Sequence, residues 1–273
     1  MTERQVTVGV DGSVTAFAAL DEAAVEAARR GARLQVVHCA EEIDAAPPVL
    51  RAALARVRER HPGLPVTAVA ASGDPADVLA AYGRRAELTV IGSRGLSGFA
   101  GMVLHSVSRR LAARTHSPLL VVPGRHPSTV PGRRPAGVLL GVGSDADADA
   151  ALFAFEEARL RGAGLTVLHA WTYRQPADGS APAEEEAARQ ARHAAAVVGA
   201  AVAGLRRRVP HAHAETAAVR AAPCRALLTA AHRSELVVVA THPGRPHAAR
   251  RVGHVTEALL HHARCPVAVV PVP

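Results

Sequence analysis

Lysine is absent from this sequence, and all 32 basic residues are arginine. Its absence removes a P-loop lysine, a Schiff-base lysine and a lysine general base from consideration. Aromatic residues make up only 3% of the chain, so the core has to be built from alanine, valine and leucine. The same scarcity bears on the formal charge of +8. A basic balance points to nucleic acid when stacking residues accompany it, but here the arginines are scattered along helices beside Glu and Ala, so no specific nucleic-acid partner is expected. Cys39, Cys224 and Cys265 form no CxxC pattern and cannot all pair; burial as small hydrophobes is expected. No apolar run approaches the length of about 18 residues that a membrane span needs. The opening residues lead straight into an apolar strand, so a soluble, cytoplasmic chain is expected. No Gly-x-Ser-x-Gly follows a strand, which leaves Ser-His-Asp catalysis without a signature. Neither a catalytic dyad nor a metal site is assigned.

What is present is alternation. Apolar strands are expected at Val6–Val10, Leu34–His38, Val66–Ala70, Leu88–Ile91 and Leu119–Val122, and helices at Val14–Arg30, Val49–Arg60, Pro75–Arg85 and Val107–Arg114. Strand followed by helix, repeated, predicts an α/β fold whose parallel sheet is covered on both faces. Gly31 sits where a helix C-cap belongs.

The pattern then recurs. Gly137–Asp145 matches the first strand and turn, Leu165–Ala170 matches Leu34–Cys39, Ser234–Ala240 matches Ala86–Gly92, and Ala263–Pro271 matches Thr115–Pro123. Four matches in register define a tandem repeat: a first domain at 1–124, a Pro/Gly/Arg linker at 125–135 and a second domain at 136–273. The motif His211-Ala212-His213-Ala214-Glu215 would align three metal ligands if it were a strand; a solvent-facing edge is the plainer reading.

One segment carries more chemistry than the rest. Val90-Ile91-Gly92-Ser93-Arg94-Gly95 runs from a strand into a glycine-rich loop that ends at Ser106, just before a new helix begins at Val107. Glycines let backbone amides approach an anion, and a helix amino end adds unpaired donors and a positive dipole. A phosphorylated ligand is expected. Ser106 is equally a plain N-cap.

Gly92, two residues, Gly95, nine residues and then a pair, His105-Ser106, is similar to the nucleotide-binding signature of the universal stress protein family. The first strand and turn, Val8–Ser13, and the closing strand, Thr115–Pro123, resemble that family's as well. The family pattern has glycine where this chain has His105; the imidazole there either obstructs an anion or donates to one. The resemblance implies two tandem doubly wound, Rossmann-like, five-stranded sheets of the adenine nucleotide alpha hydrolase-like type, with strand order 3-2-1-4-5. It implies that Asp11 and the backbone around Gly9, Val10 and Val37 hold an adenosine. It further implies that Gly92, Ser93, Arg94, Gly95, His105, Ser106 and the Val107 amide line the ribose and phosphates of ATP, with or without Mg2+.

In the second repeat Ala240-Thr241-His242-Pro243 stands where Gly92–Gly95 stands, and Gly143 replaces Asp11, with Asp145 two residues on. Pro243 also removes a donor, so a degenerate site is expected. Three functions stay open: a non-enzymatic stress regulator that binds an adenine nucleotide through its first domain, a ligand-free scaffold, and a slow nucleotide hydrolase. The closing strands Leu119–Val122 and Val267–Val270 are the expected pairing edges, either with each other or in a homodimer.

Overall fold

The computed structural model describes residues 4–40, 47–93, 107–124, 137–144, 147–175, 183–241 and 252–272. The chain forms two compact units, one built from Met1–Thr129 together with Thr241–Pro271 and the other from Val130–Ala240. The sequence assigns Thr241–Pro271 to the second repeat; in space it packs with the first unit.

In the first unit the strands are β1 (Gln5–Val10), β2 (Arg33–Cys39), β3 (Val66–Ala71), β4 (Leu88–Ser93) and β5 (Leu119–Pro123), interleaved with helices α1 (Val14–Arg30), α2 (Pro47–Arg60), α3 (Pro75–Gly83) and α4 (Val107–Ala112). They pair in the order β3-β2-β1-β4-β5, all parallel. This is the doubly wound order that the family resemblance implies. Crossover helices cover both faces, so β1 and β4 are almost wholly buried and read as continuous apolar runs.

Local signals set α1. Ser13 adopts an extended backbone and accepts from the Ala16 amide, while Gly31 closes the helix in the left-handed region at φ 59°; both ends fall where the sequence places them. Helix α4 stops at Ala112, two residues short of expectation, because the Arg114 and Thr115 amides both turn back to the Leu111 carbonyl and tighten the last turn.

The second unit contains β6 (Val138–Gly141), α5 (Ala148–Arg161), β7 (Leu165–Trp171), α6 (Ala183–Arg208), β8 (Glu215–Arg220), α7 (Pro223–Ala231) and β9 (Leu236–Thr241). Strand β6 lies between β7 and β9, and β8 pairs with β7, all parallel. Strand β8 begins only at Glu215. His211 and His213 precede it, in a turn closed by the Ala212 amide on the Val209 carbonyl, so the alternation that would have put three metal ligands on one strand face is not formed. Helix α8 (His254–His262) and strand β10 (Val267–Pro271) belong to the first unit, where β10 pairs antiparallel with β5, Val267 opposite Val121 and Val269 opposite Leu119.

Both units bury a carboxylate–guanidinium pair one turn before the end of their first helix. Glu26 and Arg30 pair in α1 with side chains 0% and 6% exposed, and Glu157 and Arg161 pair in α5 at 3% and 4%. The sequence presents these as ordinary i,i+4 surface pairs; the structure makes them part of the core. Of the cysteines, Cys265 is buried and its thiol is pushed up to about 12 by desolvation. Cys39 and Cys224 are only half-buried, contrary to the expectation for all three.

Candidate functional site

In a doubly wound sheet the crossovers change side between the two central strands, and their diverging loops leave a crevice outside the carboxyl ends. Here those strands are β1 and β4, paired Val6 to Leu88 and Val8 to Val90. Gly9, Val10 and Asp11 lie at the end of β1, Gly92 and Ser93 at the end of β4, and Val37, opposite Gly9, near the end of β2. Val37 is fully buried, backbone and side chain alike. Val107 begins α4. Arg94, Gly95, His105 and Ser106 lie outside the described residues.

Gly92 has a packing reason to be glycine. A β-carbon there would sit 2.6 Å from the Thr15 carbonyl oxygen and 3.2 Å from the Ala16 amide. The amino end of α1 therefore rests directly on the end of β4, and the chain leaving Ser93 starts beside it. The β1–α1 turn is built on Asp11: its Oδ1 accepts from the Ser13 amide at 3.0 Å and from the Ser13 hydroxyl at 2.5 Å. Gly12 reverses the chain at φ 82°, a conformation that favours glycine. Asp11 itself is exposed, and the first residue of α1, Val14, leaves its apolar side chain 83% exposed.

Helix α4 is anchored on two sides. Arg110 and Arg114 pair with Asp74 and Asp77 of the α3 amino end, and Arg109 donates to Glu257 of α8 at 2.9 Å. The hydrogen bond from Arg110 holds the Asp74 carboxyl below its ordinary range. The thiol of Cys39 is raised, first by burial and then by the negative charge of Asp74. These contacts fix where α4 starts, and so where the chain that precedes it must end.

Sequence reasoning passed over two residues. His38, at the end of β2, places Nδ1 2.7 Å from the Val10 carbonyl, immediately before Asp11; His169 does the same to Val142 at 2.8 Å. The recurrence of both histidines within matched segments was the available signal. The other is Asp147. In the second unit its Oδ2 accepts from the Gly143 amide at 2.8 Å and the Ser144 amide at 3.3 Å, and it is 3% exposed. The amides that open this second turn are thus occupied by the chain's own carboxylate. Asp145 lies outside the described residues, as do His242 and Pro243; His254 begins α8, behind Gly253, which offers no side-chain cap.

Strand order and repetition define a duplicated, doubly wound α/β protein whose topological switch point in the first unit falls between β1 and β4. The sequence profile of the Universal stress protein family matches residues 3–59, 40–123 and 137–271, and the chain belongs to that family. It is similar to a universal stress protein of Mycobacterium tuberculosis, 29% identical over 315 residues that take in 100% of this chain and 96% of the relative. A universal stress protein of Mycolicibacterium smegmatis is 30% identical over 295 residues, covering 98% of this chain and 97% of its own. The solved universal stress protein of Archaeoglobus fulgidus shares the fold, with a TM-score of 0.65 at 16% identity and 99% of each chain covered.

Proposed function

We propose that the first unit binds an adenine nucleotide, ATP or a close relative, in the crevice between β1 and β4, and that the protein works as a ligand-responsive stress regulator rather than by turnover. The observation that carries this is the convergence of three features on one edge of the sheet. The Asp11 turn ends β1, the amino end of α1 rests on Gly92, and β4 ends at Ser93 beside it. An exposed carboxylate suits sugar hydroxyls, which donate to it, while helix amino ends and glycine backbone suit phosphates. The exposed Val14 side chain offers apolar surface that a purine would cover. Mg2+ would accompany the phosphates rather than bind a protein cluster of its own.

The second unit has the same sheet but a turn whose amides Asp147 already engages, so a single nucleotide site per chain is expected. Calorimetric titration of the full chain with ATP tests this: Gly95→Pro should weaken binding and Pro243→Ala should leave it unchanged. Two equal sites would overturn the assignment of the second unit, and no heat at millimolar ATP would favour the scaffold. A phosphate-release assay separates regulator from hydrolase; repeated turnovers lost in Asp11→Ala would establish the hydrolase.

A further inference from the structure

We infer that His38 is a positioning residue for the nucleotide site, holding the Asp11 turn in place through the Val10 carbonyl; the inference rests on the nucleotide reading of the first unit. A carbonyl oxygen can only accept, so the ring nitrogen 2.7 Å from it carries the proton. That fixes the tautomer as Nδ1–H and leaves the lone pair of the neutral ring on Nε2. Val10 and His38 are the last pair in register between β1 and β2. Beyond Val10 the chain enters a turn through Gly12 at φ 82°. With His38 only 9% exposed, water competes weakly for this bond, and the ring ties down the residue directly before Asp11.

The second unit supplies an internal control. His169 makes the same bond to Val142, but the next residue, Gly143, is also held through its amide by the buried Asp147 carboxylate. One turn is braced from both sides. The Asp11 carboxylate bonds to the Ser13 amide and hydroxyl within its own turn. Loss of His169 should be felt little at Gly143, which Asp147 still holds.

The test combines ATP affinity with ring chemistry. His38→Leu should weaken ATP binding by about tenfold or more, the scale on which misplacing a contact residue acts. His38→Asn, whose amide can donate near the Nδ1 position, should restore affinity to within about threefold of the parent. His169→Leu should leave affinity unchanged. Nitrogen NMR of the ligand-free parent should show His38 protonated at Nδ1, a readout that does not depend on any variant folding. An unprotonated Nδ1, an unchanged affinity in His38→Leu, or a folded His38→Asn as weak as His38→Leu would each overturn the inference. Absence of ATP binding by the parent chain would instead overturn the nucleotide reading and the inference with it, so the two failures are told apart.

Discussion

The β1–α1 turn and the β6–α5 turn begin alike and end differently. Each leaves a glycine-containing strand whose last carbonyl is bonded by a histidine, and each leads into a helix with a buried Glu–Arg pair near its end. Between the histidine-bonded residue and the buried glutamate, however, the second repeat is one residue shorter, Val142 to Glu157 against Val10 to Glu26. In the longer turn the carboxylate, Asp11, is exposed and caps its own loop. In the shorter one the carboxylate, Asp147, is buried and binds the amides of Gly143 and Ser144. A duplicated scaffold can thus keep its sheet, its helix packing and even its strand-end hydrogen bond while one copy turns its polar groups inward. Under the proposed function, the difference between the two copies lies in this turn.

The largest effects should come from what the two units share. Glu26→Ala and Glu157→Ala each remove the carboxylate that faces a buried guanidinium and should cost about 3–5 kcal/mol in denaturant unfolding, whereas replacing both partners of a pair with apolar residues should be close to neutral. If both single substitutions proved mild, the pairs would have to be solvated after all. Next comes Gly92→Ala, which drives a methyl group into the Thr15 carbonyl and should destabilise by about 2 kcal/mol with loss of ATP affinity. The reverse change at its counterpart, Ala240→Gly, should do far less. Smaller again is Asp147→Ala, expected to cost about 1–3 kcal/mol by removing the charged acceptor that holds the Gly143 and Ser144 amides, while Asp11→Ala should move stability little and affinity a great deal. Equal stability losses for the two aspartates would break the contrast between the turns.

The smallest effect is one of pH. Helix α3 is capped by Asp74, which Arg110 also engages, whereas α7 begins behind Ala222 without a side-chain cap. The Asp74 carboxyl is held below its ordinary value of 3.8, first by the Arg110 hydrogen bond. Its stabilising contribution is therefore full above that value and drains as the pH falls below about 4. Arg110→Gln should make this acid loss shallower, as read by unfolding midpoints from pH 5 to 3; an unchanged slope would show that the pair adds nothing in solution.

Alternation and duplication were legible in the residues because they follow from local patterns: apolar runs that recur in register, and a glycine after α1. The reason for Gly92 was not legible, because it depends on the Thr15 carbonyl arriving from another element. His38 stood in a matched segment, yet its role required knowing that Val10, 28 residues earlier, would lie beside it. Asp147 escaped notice because the one-residue shortening shifts the alignment and draws attention to Asp145. The burial of the Glu26–Arg30 pair was not legible either, since spacing along a helix fixes which residues meet but not whether water meets them too.

The antiparallel pairing of β10 with β5 also dictates an order of events during synthesis. The first unit takes its material from both ends of the chain, so the ribosome makes all of Val130–Ala240 before the segment that completes it. Until then β5, whose Leu119–Val122 run is entirely apolar and ends up buried, waits with one edge open. An open apolar edge is a template for the wrong partner. In this protein β10, translated after the whole of Val130–Ala240, seals the open edge of the first unit, and a chain that stops before it leaves that edge exposed.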